Sequence, residues 1–238
     1  MKNDGTVSQL LGDPFGANTV SASVGRLADL TLEPPVAPSK IIAVGLNYRA
    51  HAEESGMAIP DFPLLFYKPP TSLVGHNTPI VLPKISDEVE HECELAVVIG
   101  RTTRNISEDE ALDAVFGYTC ANDVSARDWQ RAESQWVRGK GFDTFCPLGP
   151  WISTTIDPSS LDISTRVNGA ARQSSNTSDM IFPIPRLIAE ISQVMTLHPG
   201  DVIITGTPAG VGPLKAGDVV EVEIERIGTL SNPVESED

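Results

Sequence analysis

The chain has 238 residues, of which 40% are hydrophobic, and its formal net charge is −15. This composition predicts a globular chain with one substantial core, and no apolar run reaches the ~18 residues that a membrane-spanning helix needs. The acidic balance disfavours nucleic acid and anionic membranes as partners, because both require a basic surface. The three cysteines are scattered and form no CxxC pair, so we expect a reducing cytoplasm and no disulfide framework.

The two ends of the chain differ in composition from its centre. Residues 1–37 are polar and rich in turn-forming residues, and they end in a proline-rich stretch. They predict a short irregular segment that can include one strand, joined by a linker to the main body. We expect a single catalytic domain over residues 38–233 and an acidic, disordered tail over residues 234–238.

A histidine and a glutamate follow the first strand of the main body. The strand over residues 40–45 stops at Gly45, and residues 46–56 then predict one or two helical turns ending at Gly56. His51 and Glu54 are spaced i, i+3, so they share a helix face. A carboxylate beside one imidazole nitrogen orients the ring and favours the other nitrogen as a general base. The alternative is an ordinary surface histidine.

Two acidic residues begin a strongly apolar strand. The run from Leu95 to Ile99 predicts a buried strand, and residues i and i+2 of a strand face the same side, so Glu92 and Glu94 project together. Two close, buried carboxylates need a cation or a shared proton, and Mg²⁺ or Mn²⁺ prefers such oxygen ligands. The alternative is a solvated acidic strand edge, which is how we interpret the Glu-x-Glu pattern at Glu221 and Glu223.

The middle of the chain supplies a further acid and a lysine. Ser107 is a good N-cap for a helix that we expect to run to about Phe116. The next strand, over residues 117–123, places Asp123 at its end, where it is either a third oxygen ligand or the N-cap of the following segment. Lys140 stands between two glycines, which indicates either a flexible backbone that approaches a ligand or a simple turn lysine.

The C-terminal half is predicted mainly from turns and periodicity. Asn168-Gly169 is the strongest signal for a two-residue hairpin turn, and residues 219–227 alternate as a strand with one solvated face. A helix is predicted over residues 183–197, with a buried face formed by Leu187, Ile188, Ile191, Val194 and Met195. The strand from residue 201 opens into a glycine-rich loop that includes Gly206 and Thr207. The amides of this loop and the Thr207 hydroxyl are candidates to bind an anion or oxyanion.

These motifs, in this order, resemble those of the fumarylacetoacetate hydrolase family. The stretches that carry the resemblance span residues 38–230 and read GLNYRAHAEE, FYKPP, EHECELAVVIG, NDVSARDWQ, GKGFDTFCPLGP and DMIFPIPRLIAEIS…LHPGDVIITGTPAGVG. The resemblance implies an α+β fold that is mostly β, a mixed β-sandwich roll with a few short helices. It also implies a homodimer.

The same resemblance implies roles for individual residues. The metal ligands for Mg²⁺ or Mn²⁺ fall on Glu92, Glu94 and Asp123. The catalytic His–Glu dyad, carried on a mobile lid, falls on His51 and Glu54, and the active-site lysine falls on Lys140. Substrate-binding positions match Gln130, Thr207, Gly206 and, as a weaker carry-over, Lys68.

The implied substrate is a small anionic 2-oxo acid, whose enolate the metal would stabilise. Among the candidate reactions, C–C bond cleavage by hydrolysis of an acylpyruvate is the one we favour, and decarboxylation of oxaloacetate ranks next. Isomerisation of an unsaturated 2-oxo or 2-hydroxy diacid, as in aromatic catabolism, needs the same enolate and stays open. A rival of another class is a catalytically silent, metal-stabilised binding protein. The presence of both the dyad and the lysine favours an enzyme.

Overall fold

Strands dominate the computed structural model, which describes residues 4–237. The strands are β1 (Thr6–Gly12), β2 (Asn18–Arg26), β3 (Ile41–Gly45), β4 (Leu64–Lys68), β5 (Leu73–Val74), β6 (Ile80–Leu82), β7 (Val89–His91), β8 (Cys93–Ile99), β9 (Val115–Asn122), β10 (Ser125–Ala126), β11 (Cys146–Ser153), β12 (Asp162–Val167), β13 (Ala170–Asn176), β14 (Val202–Ile204), β15 (Gly212–Pro213), β16 (Val219–Ile224) and β17 (Gly228–Ser236). The α-helices are α1 (Arg49–Ser55), α2 (Glu108–Ala111), α3 (Arg127–Ala132), α4 (Val137–Lys140) and α5 (Ile184–Val194). The predicted class, mostly β with short helices, is confirmed.

A seven-stranded mixed sheet with the order β4-β3-β14-β8-β9-β11-β5 forms the centre of the molecule. Strand β8 is buried along its whole length, between β14 and β9, as its apolar run predicted. A five-stranded sheet, β13-β12-β16-β17-β6, lies across from it. The main core contains side chains from both sheets and from α5, including Leu95, Val222 and Leu187. None of the described helices is long and apolar enough to cross a membrane.

A small sheet, β10-β7-β15, interrupts the acidic segment. Glu92 therefore lies at the break between β7 and β8 and is not inside one continuous strand. The hairpin predicted at Asn168-Gly169 is confirmed, with both residues at positive φ as its turn type requires. Ser107 caps α2 through reciprocal bonds with Glu110, which confirms its N-cap role.

Two predicted helix ends and one predicted core position were wrong. The helix that starts after Ser107 does not reach Phe116: α2 ends at Ala111, a 3₁₀ turn follows, and Val115 already pairs with Ile99 in the sheet. Helix α5 stops at Val194, which is 68% exposed and not part of the core. Val194 is the last helical residue, and the burial of the earlier turns does not extend to it.

The terminal segments are also more ordered than predicted. The N-terminal segment, predicted to be irregular with room for one strand, contains the two-stranded β1–β2 hairpin; residues 1–3 lie outside the described residues. Residues 234–236, predicted to be disordered tail, belong to β17 and pair in parallel with β6. This pairing joins segments about 150 positions apart in the chain, so no local pattern could reveal it. The last residue, Asp238, lies outside the described residues.

Candidate functional site

Three buried carboxylates meet at one end of the central sheet. Antiparallel pairing places Cys93 of β8 opposite Asn122 of β9, so Glu92 and Glu94 come close to Asp123, which follows β9 directly. Carboxylate oxygens of Glu92, Glu94 and Asp123 lie within 4.8 Å of one another, and all three residues are buried. The acids singled out in the sequence therefore form one cluster.

Cationic side chains surround the cluster. The Lys140 ammonium donates to Glu92 Oε2 at 2.8 Å and to Asp123 Oδ2 at 2.7 Å, and it lies 5.1 Å from the centre of the Phe66 ring. Lys68 is also buried and donates to Asp123 and to the Val124 carbonyl. The family-implied lysines are thus placed beside the acids. Lys140 ends the short helix α4, so it is fixed by packing and is not in a flexible turn.

Gly139 explains how Lys140 reaches the cluster. A Cβ at Gly139 would lie 2.8 Å from the backbone of Gln130, so only glycine allows α4 to pack this closely on α3. The glycine beside Lys140 therefore serves close approach of two helices and not flexibility. The tight packing at Gly139 therefore fixes the position of the Lys140 ammonium group.

The carboxyl groups of the cluster differ in their electrostatic environment. Burial raises the pKa of the Glu94 carboxyl well above its usual range, and the neighbouring Asp123 and Glu92 carboxylates raise it further. Burial acts the same way on Glu92, but the Lys140 and Arg127 charges outweigh it and hold the Glu92 pKa well below its usual range. The Lys140 charge only partly offsets these effects, so Glu94 is the acid of the cluster with no direct ion pair among the described residues.

This donor set fits a hard divalent cation. Three buried carboxylates converge from two neighbouring strands, and one of them has no ion pair within the described residues. Oxygen-only ligands of this kind suit Mg²⁺ or Mn²⁺, which retain open positions for water or substrate. The residues present therefore match the metal that the sequence implied.

The predicted dyad is present at the rim of the same cleft. His51 Nδ1 lies 3.2 Å from Glu54 Oε2 on helix α1, which ends at Gly56 in a left-handed cap as expected. A carboxylate only accepts hydrogen bonds, so Nδ1 carries the proton and Nε2 is left as the basic nitrogen. Glu54 also accepts the Gly210 amide, with both oxygens 3.2 Å from that nitrogen.

The cleft has a volume of about 560 Å³. Its lining includes His51, Glu92, Glu94, Gln130, Lys140 and Thr207, together with apolar side chains such as Leu64 and Trp136. Gln130 Oε1 accepts from Arg127 at 2.7 Å, which directs the amino group of this amide elsewhere as a donor. The cleft thus combines a polar floor with an apolar wall, as a site for a small organic acid requires.

The glycine-rich loop, residues 205–211 between β14 and β15, is already engaged with the protein. The Gly206 amide donates to Glu94 Oε2 at 2.7 Å, an arrangement that needs the positive φ of Gly206. The Thr207 hydroxyl donates its one proton to the Cys93 carbonyl at 3.0 Å and accepts from Gln173. These two groups therefore bind the acidic strand in this structure, and since Thr207 also lines the cleft, their predicted contact with substrate stays a prediction.

Sequence reasoning missed Arg127. Its guanidinium bonds Glu90 through Nε at 2.7 Å and Glu92 through a terminal nitrogen at 2.5 Å, so it links the rim of the cleft to the acidic cluster. The available signal was its position in the NDVSARDWQ stretch, four residues after Asp123 on the way to Gln130. Gln173, which holds the glycine-rich loop, offered no such signal.

Comparison with known proteins agrees with this geometry. The fumarylacetoacetate (FAA) hydrolase C-terminal family matches residues 40–235. A mitochondrial oxaloacetate tautomerase of Xenopus laevis is 50% identical over 215 residues, covering 85% of this chain and 67% of that protein.

Solved structures extend the comparison. The 2-hydroxyhepta-2,4-diene-1,7-dioate isomerase of Mycobacterium marinum superposes with a TM-score of 0.92 at 47% identity, covering 99% of this chain and 90% of that one. The maleylpyruvate hydrolase of Sphingobium sp. SYK-6, in complex with manganese(II) and pyruvate, has a TM-score of 0.80 at 41% identity, covering 91% and 78%. The chain therefore belongs to the fumarylacetoacetate hydrolase family of enzymes.

Proposed function

We propose that this protein is a Mg²⁺- or Mn²⁺-dependent enzyme that moves a proton at the carbon next to the keto group of a small 2-oxo acid. The observation that carries the proposal is the buried Glu92, Glu94 and Asp123 cluster in the same cleft as His51. A divalent cation held by the three acids would supply Lewis acidity toward the keto oxygen, an effect worth several kcal/mol.

The protein's own side chains, His51 and Glu54, carry out the proton transfer. His51 Nε2 accepts a proton from C3 of the substrate, and Glu54, bonded to Nδ1, stabilises the resulting imidazolium. Return of that proton to the keto oxygen gives the enol, and its return to a conjugated carbon gives the shifted double bond. Gln130 and the apolar wall orient the rest of the substrate in the cleft.

The hydrogen bonds that Lys140 and Thr207 already make favour a proton shift over hydrolysis. Hydrolysis of an acylpyruvate requires Lys140 and Thr207 to stabilise a second oxyanion at the distal carbonyl. In the structure Lys140 is bonded to two carboxylates, and the Thr207 proton is directed at a backbone carbonyl. The names of two similar proteins, a tautomerase and an isomerase, point to the same kind of reaction.

C–C bond hydrolysis of a β-diketo acid is the second candidate, with decarboxylation of oxaloacetate beside it. It is supported by the similar maleylpyruvate hydrolase and by the His–Glu dyad, which can equally deprotonate water. In that case the hydroxide adds to the distal carbonyl, the C3–C4 bond breaks, and C3 receives a proton.

Deuterium exchange tests the proposal directly. Pyruvate, oxaloacetate and an acylpyruvate are incubated with the enzyme in D₂O, with Mg²⁺, with Mn²⁺ or with chelator, and C3 labelling and product formation are followed by NMR. We expect metal-dependent exchange that falls by about 10²–10⁴-fold in His51→Ala and is unchanged in Glu221→Gln, an acid on the distant strand β16. Absence of metal-dependent exchange with all three acids would exclude the proposal, and cleavage of the acylpyruvate faster than exchange would favour hydrolysis.

We also propose that two copies of the chain associate through the β1–β2 hairpin. Isolated two-stranded hairpins are only marginally stable in water, yet this one exposes Leu10, Leu11, Val20 and Val24. Strands β1 and β2 contain no acidic residue, so two copies of a chain with net charge −15 can approach there with little repulsion. Light scattering of the purified protein should give a dimer mass, and Val20→Lys with Val24→Lys should give the monomer.

A further inference from the structure

Gln173 is a buried amide whose hydrogen-bonding groups are all used. It lies on β13, is 1% exposed, and is not part of the lining of the cleft. Its Oε1 accepts from His91 Nδ1 at 3.1 Å, from the Cys93 amide at 3.0 Å and from the Thr165 hydroxyl at 3.0 Å. Its Nε2 donates to the Thr207 hydroxyl and to the Pro208 carbonyl, both at 2.8 Å.

These bonds fix the orientation of the amide and join two parts of the molecule. The Cys93 amide can only donate and the Pro208 carbonyl can only accept, so oxygen and nitrogen cannot be exchanged. The oxygen side is bonded to the segment that carries the acidic cluster, through His91 and Cys93. The nitrogen side is bonded to the glycine-rich loop, residues 205–211, which contains no strand or helix.

The glycine-rich loop in turn contacts both chemical centres. The Gly206 amide donates to Glu94, a member of the acidic cluster. Four residues later, the Gly210 amide donates to Glu54, the partner of His51 on helix α1. One short loop therefore sets the position of a cluster carboxylate and of the dyad carboxylate.

Other bonds hold the start of the loop, where Asn47 donates to the Thr205 carbonyl and the Thr205 hydroxyl donates to the Leu95 carbonyl, but the glycines of the loop add no rigidity of their own. Gly206 and Gly210 both adopt φ of +95°, in a region that gives glycine wide freedom in the absence of tertiary contacts. A Cβ at Gly210 would lie 2.3 Å from the carbonyl oxygen of Arg172, so the loop packs directly on the backbone beside Gln173. The strand that carries Gln173 is thus the support on which the loop rests.

We propose that Gln173 is a positioning residue that aligns the dyad with the acidic cluster by holding the glycine-rich loop between them. The catalytic consequence rests on the proton-transfer function proposed above, whereas the structural consequence does not. Removal of the Nε2 donor leaves Thr207 with its bond to the Cys93 carbonyl alone and the Pro208 carbonyl without its Gln173 donor, and the loosened loop then holds Glu54 and Glu94 less firmly. Helix α1 loosens together with the loop because Glu54 is their direct link.

The experiment compares amide hydrogen exchange by mass spectrometry in the full-length protein, with and without Mg²⁺, for three variants. Gln173→Met removes donor and acceptor at similar size. Gln173→Glu keeps an acceptor for His91 and Cys93 and removes the donor to the loop. Asn232→Leu is the matched control, because Asn232 is 1% exposed and its side chain also donates two bonds to carbonyls, those of Gly75 and Thr78, away from the cleft.

We expect both Gln173 variants to accelerate exchange about tenfold or more in the loop and in helix α1, and Asn232→Leu to leave both segments unchanged. The C3 exchange rate at saturating substrate should fall about tenfold in Gln173→Glu with little change in KM. Equal acceleration in Asn232→Leu, or a loosened loop with an unchanged helix α1, would overturn the proposal.

Two further outcomes separate this inference from the proposed function. If the wild type shows no turnover but amide hydrogen exchange in the variants changes as expected, the proposed function fails and the positioning role stands. If neither Gln173 variant folds, amide hydrogen exchange in the wild-type protein tests the proposal. The Gly206 and Gly210 amides must then exchange as slowly as those of the buried strand β8. Fast exchange at these two amides, typical of a free surface loop, would exclude a loop held by Gln173.

Discussion

Replacement of Glu94 by glutamine separates metal binding from folding. Glu94 is the acid of the cluster without a cationic partner in the described part of the chain, and its only recorded hydrogen bond is from the Gly206 amide. Glutamine keeps an oxygen for that amide and removes the charge. Without metal, Glu94→Gln should be at least as stable as the wild type, because burial of an uncompensated acid is costly.

The expected size of the metal effect follows from linkage. At a free Mg²⁺ or Mn²⁺ concentration about 100 times Kd, binding stabilises the folded state by about 2.7 kcal/mol. Each kcal/mol raises Tm by about 2–4 °C in a chain of this size, so the wild type should gain about 5–11 °C. Loss of one of three carboxylate ligands should reduce the gain in Glu94→Gln to under about 2 °C.

The assay is thermal unfolding of chelator-treated protein, titrated with each metal. Glu221→Gln is the matched control, since Glu221 also belongs to a Glu-x-Glu strand pattern but lies on the solvated face of β16 beside Arg166. It should retain the full gain in Tm and change the metal-free stability by no more than about 0.5 kcal/mol. A Glu94→Gln protein that keeps the wild-type gain would refute the assignment of this carboxylate as a ligand.

Three further predictions concern other parts of the site and its support. Lys68→Met leaves Asp123 with one cation fewer in a buried setting, so stability measured by urea unfolding should fall by about 3–5 kcal/mol. Glu54→Gln should lower the C3 exchange rate by about tenfold or more with intact Tm, because a neutral amide no longer stabilises the imidazolium. Burial opposes ionisation of Asp201, but Lys40 and neighbouring donors outweigh it and lower the pKa of Asp201 below 3.8, its value in an unfolded chain. Its stabilisation is therefore complete above pH 3.8 and is lost as pH falls through the folded-state pKa, so the Tm deficit of Asp201→Asn should shrink in acid.

Local patterns predicted the elements that local chemistry decides. The burial of β8 along its whole length followed from its apolar run, and the Asn168-Gly169 turn followed from the positive φ that both residues readily adopt. Glu92 and Glu94 were found because i, i+2 spacing on a strand fixes their common direction. These inferences needed only a few consecutive residues.

Contacts between residues far apart in the sequence could not be predicted from such local patterns. Gln173 lies 80 positions from Cys93 and 34 from Thr207, and nothing in an alternating surface-type strand such as β13 indicates a buried amide. The exposure of Val194 was missed because helical periodicity specifies a face and not how far along the helix that face is covered. The family resemblance brought Lys140 to the cluster, but the reason for its neighbouring glycine emerged only from the packing of α4 on α3.

The charges of the cleft explain why a metal is needed for binding as well as for chemistry. Apart from Glu94, the glutamates that line the cleft and the adjoining Asp123 have lysine or arginine partners among the described residues: Glu88 with Arg131, Glu90 with Arg127, Glu92 with Lys140 and Asp123 with Lys68. These pairs cancel, and Glu94 adds an acid to a chain whose net charge is already −15. The side chains alone therefore offer a 2-oxo acid anion no net attraction. A divalent cation at the three carboxylates would change the sign of the local charge, so metal removal should abolish substrate binding and not turnover alone.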